Sequence, residues 1–143
     1  MKKFFAIKTH TADMDIILLL LRLVFGYAFI LHGWGKIQMP MGWMPPGSPV
    51  PGFLQALAAI AEFGGGIAII LGFLTRLSGL GLAVTMLVAV YFHAVILGHP
   101  FVNTSPAGNG SFELALVYLI LSVLIIITGP GRFSMDGKIF GKV

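Results

Sequence analysis

Cysteine is absent from the chain. That removes a disulfide framework, thiolate metal ligation and any thiol relay carried by these residues themselves. Charge is scarce too: Asp, Glu, Lys and Arg make up 10% of 143 residues, against 57% hydrophobic ones. A chain this apolar cannot cover its surface with polar groups as an ordinary globular domain does. An integral membrane protein is therefore expected, all-α, with the lipid bilayer as its first partner. No segment is long or polar enough for a second domain, so residues 1–143 read as one membrane domain. The net charge of +4 does not signal nucleic acid, because the nine basic residues stand at the ends of apolar runs rather than in one patch.

What is present is a set of apolar runs separated by helix breakers. Four spans are expected, at about residues 15–36, 52–74, 77–97 and 112–128, forming a four-helix bundle. Residues 38–51 hold five prolines and two glycines, which rules out a continuous helix and predicts a stiff interfacial loop, with Trp34 and Trp43 in an aromatic belt. Residues 98–111 form a second breaker-rich loop without a basic residue, and Gly129-Pro130-Gly131 stops the last span. Lys2, Lys3 and Lys8 resemble the start of a signal peptide, but the apolar stretch Ile16–Ile37 is longer than such a core and reads as a retained first span. With four spans both termini share a side. That side carries Lys2, Lys3, Lys8, Arg22, Arg76, Arg132, Lys138 and Lys142, and the other carries Lys36 alone. The positive-inside rule then makes the termini cytoplasmic, in a bacterial-type plasma membrane.

The ionisable groups inside the spans are the candidate functional residues, because an acidic side chain at a helix centre costs about 2.5–3.5 kcal/mol. Glu62 stands in the second span just before Gly64, Gly65 and Gly66. In the first span Arg22, Gly26, Phe29, Gly33 and Lys36 share one helical face, which should point inward. Counting about 1.5 Å per residue puts Glu62 near the midplane and Arg22 within side-chain reach, so a buried Arg22–Glu62 ion pair is expected. The same count gathers His32, Lys36, His93 and Glu113 in the outer third as a candidate site. His99, in the loop, is expected to be solvated. Close packing accounts for the glycines. Met39, Met41 and Met44 read as interfacial hydrophobes and no metal is expected.

Taken in order, Arg22-Leu-Val-Phe-Gly26, His32-Gly33-Trp34-Gly35-Lys36, Glu62-Phe-Gly64-Gly65, Leu71-Gly72-Phe-Leu-Thr75-Arg76, Met86 to His93 and Gly129-Pro130-Gly131-Arg132-Phe-Ser134-Met-Asp136 resemble the DoxX family of small four-span membrane proteins. The resemblance covers Arg22 to Asp136 and matches the family's polar positions at Arg22, Lys36, Glu62, Arg76, His93 and Glu113. It implies association with membrane oxidoreductase complexes, in a family named after a subunit associated with thiosulfate:quinone oxidoreductase. Lacking cysteine, this chain would need a partner protein or a quinone for thiol-linked chemistry.

Three functional readings follow. The leading one is a subunit of a membrane-associated, quinone-linked oxidoreductase complex, with His93, His32 or Glu113 moving protons and Lys36 stabilising negative charge on the quinone oxygen. The second is a non-enzymatic scaffold that recruits a partner enzyme. The third is a small transporter or proton pathway through Arg22, Glu62 and the outer group. Self-association as a homo-oligomer is compatible with all three.

Overall fold

The computed structural model describes residues 5–105, 108 and 110–141. Among them the chain is helical, with no β-strand: α1 (Ala12–Gln38), α2 (Gly52–Leu71), α3 (Thr75–Tyr91) continued by a π-helical turn (Phe92–Ile96), α4 (Glu113–Thr128) and the short α5 (Met135–Ile139). α1, α2, and α3 with its π-turn are long and apolar enough to cross a membrane, and α4 is a shorter apolar helix. Its 16 residues rise about 24 Å, short of a core about 30 Å thick. The loop before it folds back on its first turn, where the Phe112 and Glu113 amides donate to the Pro100 and Phe101 carbonyls (3.3 and 3.1 Å).

The boundaries follow local chemistry. α1 begins at Ala12 because Thr11 caps it, its hydroxyl accepting from the Met14 amide at 3.4 Å, with Asp13 and Asp15 in the first turn. α2 stops three residues before the expected end at 74. Gly72 turns left-handed (φ 66°), its amide donating to Ile69 O and that of Phe73 to Ala68 O. These are the two bonds of a Schellman stop, which glycine makes without strain. The Ile7 amide donates to Gly141 O at 3.0 Å, so the described ends of the chain meet on one face of the bundle, here called the terminal face.

Packing runs α1 on α2, α2 on α3 and α3 on α4. Phe25, Phe29, Ile69, Leu82, Met86 and Ile125 form the buried centre. α1 faces α4 through rings rather than backbone: Tyr118 lies 5.8 Å from Phe25 and 5.1 Å from Phe29, centre to centre. As expected from the helical face, Arg22, Gly26, Phe29 and Gly33 all point inward.

α1 and α2 touch backbone to backbone. A Cβ on Gly26 would lie 2.6 Å from Gly66 O, and one on Gly33 would lie 2.5 Å from Phe63 N. Of the three glycines after Glu62, Gly66 makes this approach and Gly65 faces Leu82, whereas a Cβ on Gly64 would meet open space. Gly33→Ala is therefore expected to push the helices apart and lower stability by about 1–3 kcal/mol, the usual range for overpacking. Gly64→Ala should be close to neutral. Thermal unfolding of both variants in detergent checks the contrast, and equal melting temperatures would contradict it.

Candidate functional site

Glu62 is 1% exposed and takes a cation, but the cation is Lys36. The ammonium lies 2.6 Å from each carboxylate oxygen. Trp43 closes over it, with Lys36 Nζ 4.5 Å from the ring centre, a cation–π geometry. The Trp43 indole N–H donates to Gln55 O at 3.0 Å. The Gln55 side chain in turn accepts from the Met44 amide (3.1 Å) and donates to Val50 O (2.9 Å). One buried amide thus ties the proline-rich loop down as a lid on the ion pair. Gln55 was missed by sequence reasoning; a lone amide in the first turn of an apolar helix was the available signal.

The expected Arg22–Glu62 pair is not formed. In antiparallel helices the opposing positions are set by register, and Gly33 opposite Phe63 with Gly26 opposite Gly66 brings Glu62 level with the end of α1 remote from the terminal face. Counting depth from Gly52 placed Glu62 too deep, because the first turns of α2 stand beyond that end. Arg22 lies instead beside the last turn of α2 and binds carbonyls: Nε to Ile69 O (2.9 Å), Nη2 to Ile70 O (2.8 Å), and Nη1 to Pro130 O (2.9 Å) and Phe133 O (2.7 Å). It joins the C-terminus of α2 to the glycine-proline turn after α4.

Other groups hold the same face. The Asp136 carboxylate accepts from the Leu74 amide (2.7 Å) and the Thr75 amide (2.9 Å), capping α3 from α5 and holding Leu74 at φ 45°. Asp15 Oδ1 accepts from the Arg132 amide at 2.8 Å. Lys8 donates to Ile127 O (2.8 Å) and His10 lies 3.1 Å from Thr128 O, covering the last carbonyls of α4.

The candidate site expected in the outer third does not assemble. No hydrogen bond, ion pair or ring contact joins His32, Lys36, His93 and Glu113 to one another among the described residues. Lys36 is held by Glu62. His93, carried on the π-turn, pairs with His99, the two Nδ1 atoms 2.9 Å apart, so His99 is a partly buried partner rather than a solvated loop residue. One of those nitrogens bears the hydrogen and the other the lone pair. Glu113 is exposed at the start of α4. His32 is exposed on α1 and lies edge-on to Tyr118, with centroids 5.8 Å apart, and 6.4 Å from Phe29. Neither the His32 ring nitrogens nor the Tyr118 hydroxyl has a hydrogen-bond partner among the described residues. The buried rings of Phe25 and Phe29 lie on α1 between the Arg22 level and the Lys36–Glu62 level. That apolar layer interrupts a polar path across the bundle.

Helices this apolar, meeting through glycines and with most of their hydrogen-bonded polar side chains gathered toward the two ends, define a multi-span helical membrane protein. The DoxX family pattern matches residues 17–95, more than half of the chain. The chain belongs to the DoxX family. It is 37% identical over 126 residues to "Inner membrane protein YqjF" of Escherichia coli (strain K12), covering 85% of this chain and 91% of the relative. It is 30% identical over 130 residues to "Putative oxidoreductase CatD" of Bacillus subtilis (strain 168), covering 90% of each. No solved structure matches the chain.

Proposed function

We propose that this protein is the membrane subunit of an oxidoreductase complex and that it holds a quinone-type ring at the lipid-facing seam between α1 and α4, against His32 and Tyr118. The observation that carries this reading is the pairing of an exposed imidazole with a phenol ring on an aromatic wall, both polar groups without a hydrogen-bond partner among the described residues. A planar ring with a carbonyl at each end matches such a seam: the wall stacks it and the polar groups orient it. When bound, a quinone supplies the acceptor for two electrons and two protons. This chain's part is to admit the ring from the lipid, to orient a carbonyl oxygen toward the His32 imidazole and to deliver a proton from that nitrogen. With no thiol of its own, the chain relies on a partner protein for both electrons, which would pass from that partner to the bound ring. Lys36 is engaged by Glu62, and His93 by His99; of the two exposed candidates that remain, His32 and Glu113, only His32 stands against an aromatic ring wall, which makes it the proton-transfer candidate of this reading.

The name of the Bacillus relative supports the oxidoreductase part of the reading, and that of the Escherichia relative a bacterial inner membrane. By the distribution of basic residues the terminal face is cytoplasmic, which reporter fusions at the C-terminus test. His32 is exposed, so His32→Ala should fold normally while binding decylubiquinone about tenfold more weakly, the worth of one or two hydrogen bonds. Quinone retained by the purified protein, measured by extraction and chromatography, decides this. Equal retention by wild type and variant would end the assignment and leave the scaffold reading.

A further inference from the structure

The terminal face carries more positive charge than its own carbonyls engage. Lys8, His10 and Arg22 are each committed to backbone carbonyls at helix ends, and Arg76 is engaged as well. The Arg132 and Lys138 side chains have no hydrogen bond or ion pair among the described residues. Both line one cavity of about 370 Å³, whose other walls are Leu71, Phe133, Ser134 and Met135.

The cavity is amphipathic. Its cations stand at the rim, while Leu71, Phe133 and Met135 are 49%, 50% and 40% exposed. Leu71 ends a stripe on α2 with Ile60, Gly64 and Ile67, all exposed along one face of a membrane-spanning helix. The apolar wall therefore runs without a break from the cavity into the lipid. Nothing negative on α5 neutralises the rim, because both oxygens of the buried Asp136 accept from the Leu74 and Thr75 amides. The Ser134 hydroxyl is likewise committed, donating to Gly131 O and accepting from the Gly137 amide.

We propose that this cavity binds the headgroup of an anionic phospholipid, the phosphodiester against Arg132 and Lys138 and an acyl chain along Leu71 and Ile67. A guanidinium presents parallel N–H donors to two phosphate oxygens, and a neighbouring ammonium adds point charge. A soluble phosphate satisfies the cations but leaves the apolar wall wet, so the continuity of that wall with the membrane-spanning face selects a lipid.

The test is native mass spectrometry of the purified protein titrated with phosphatidylglycerol or with phosphatidylcholine of the same chains. Wild type should retain phosphatidylglycerol in preference, and the double variant Arg132→Ala/Lys138→Ala should lose about 30-fold in affinity for it, the worth of two basic contacts at a membrane surface. The charge-preserving variant Arg132→Lys/Lys138→Arg should keep the preference, and inorganic phosphate should not displace the lipid. Both positions are exposed, and unchanged helical circular dichroism and melting in phosphatidylcholine establish that the variants are folded. Undiminished phosphatidylglycerol binding by the double alanine variant overturns the proposal. So does displacement by inorganic phosphate, which would mark a soluble-anion site. Weak binding by the charge-preserving variant as well would show that charge is not what the cavity reads, with the same consequence.

Discussion

Arg22→Ala is expected to be the most damaging single substitution in the protein. The guanidinium is 1% exposed and donates to four carbonyls from two parts of the chain, Ile69 and Ile70 at the end of α2 and Pro130 and Phe133 after α4. Alanine leaves those acceptors facing a cavity, although Ile69 O keeps the Gly72 amide. Each buried carbonyl that loses its donor costs about 1–3 kcal/mol, so even partial relaxation leaves a loss comparable with the net stability of a small domain, about 5–15 kcal/mol. Arg22→Lys should be nearly as harmful. Its single ammonium nitrogen cannot span carbonyls now reached by three separate guanidinium nitrogens, although the charge is unchanged. The readouts are the yield of monodisperse protein and denaturation in detergent. A lysine variant as stable as wild type would show that charge alone, and not the geometry of the fork, holds the terminal face.

The second large effect concerns Lys36 and Glu62, where the two partners are not equivalent. Glu62 is 1% exposed and the Lys36 side chain 25%. Lys36→Met leaves a carboxylate buried without a counter-ion, at about 3–5 kcal/mol. Glu62→Gln leaves an ammonium that can swing toward water and still face Trp43, so about 1–3 kcal/mol is expected, set by the weakened hydrogen bond. The double variant should recover most of the loss seen in Lys36→Met, since it buries no charge. Denaturation of the three variants gives the order directly. A Glu62→Gln variant weaker than Lys36→Met, or a double variant no better than Lys36→Met, would contradict it.

The two polar levels lie toward opposite ends of α1, with the Phe25 and Phe29 rings between them. Sequence reasoning singled out Arg22, Glu62, His32, Lys36, His93 and Glu113, and the side chains of all but Glu113 take part in some polar or aromatic contact among the described residues. It paired them differently. Arg22 and Glu62 lie in helices that cross side by side, so proximity was inferable, but one carboxylate can meet Arg22 or Lys36 depending on a shift of a few turns. The contributions of Gln55, Asp136 and Trp43 were hidden for the same reason: each acts on backbone brought to it by a loop or by another helix.

The sequence by itself determined the membrane class, the apolar helices, the breakers that end them and the inward face of α1. These depend on hydrophobicity and on a 3.6-residue period, which are properties of neighbouring residues. The tertiary structure alone decided which carboxylate meets which cation. That choice depends on helix register, and register is set by contacts between distant residues: the backbone approach at Gly26, Gly33 and Gly66, and the loop folded down by Gln55.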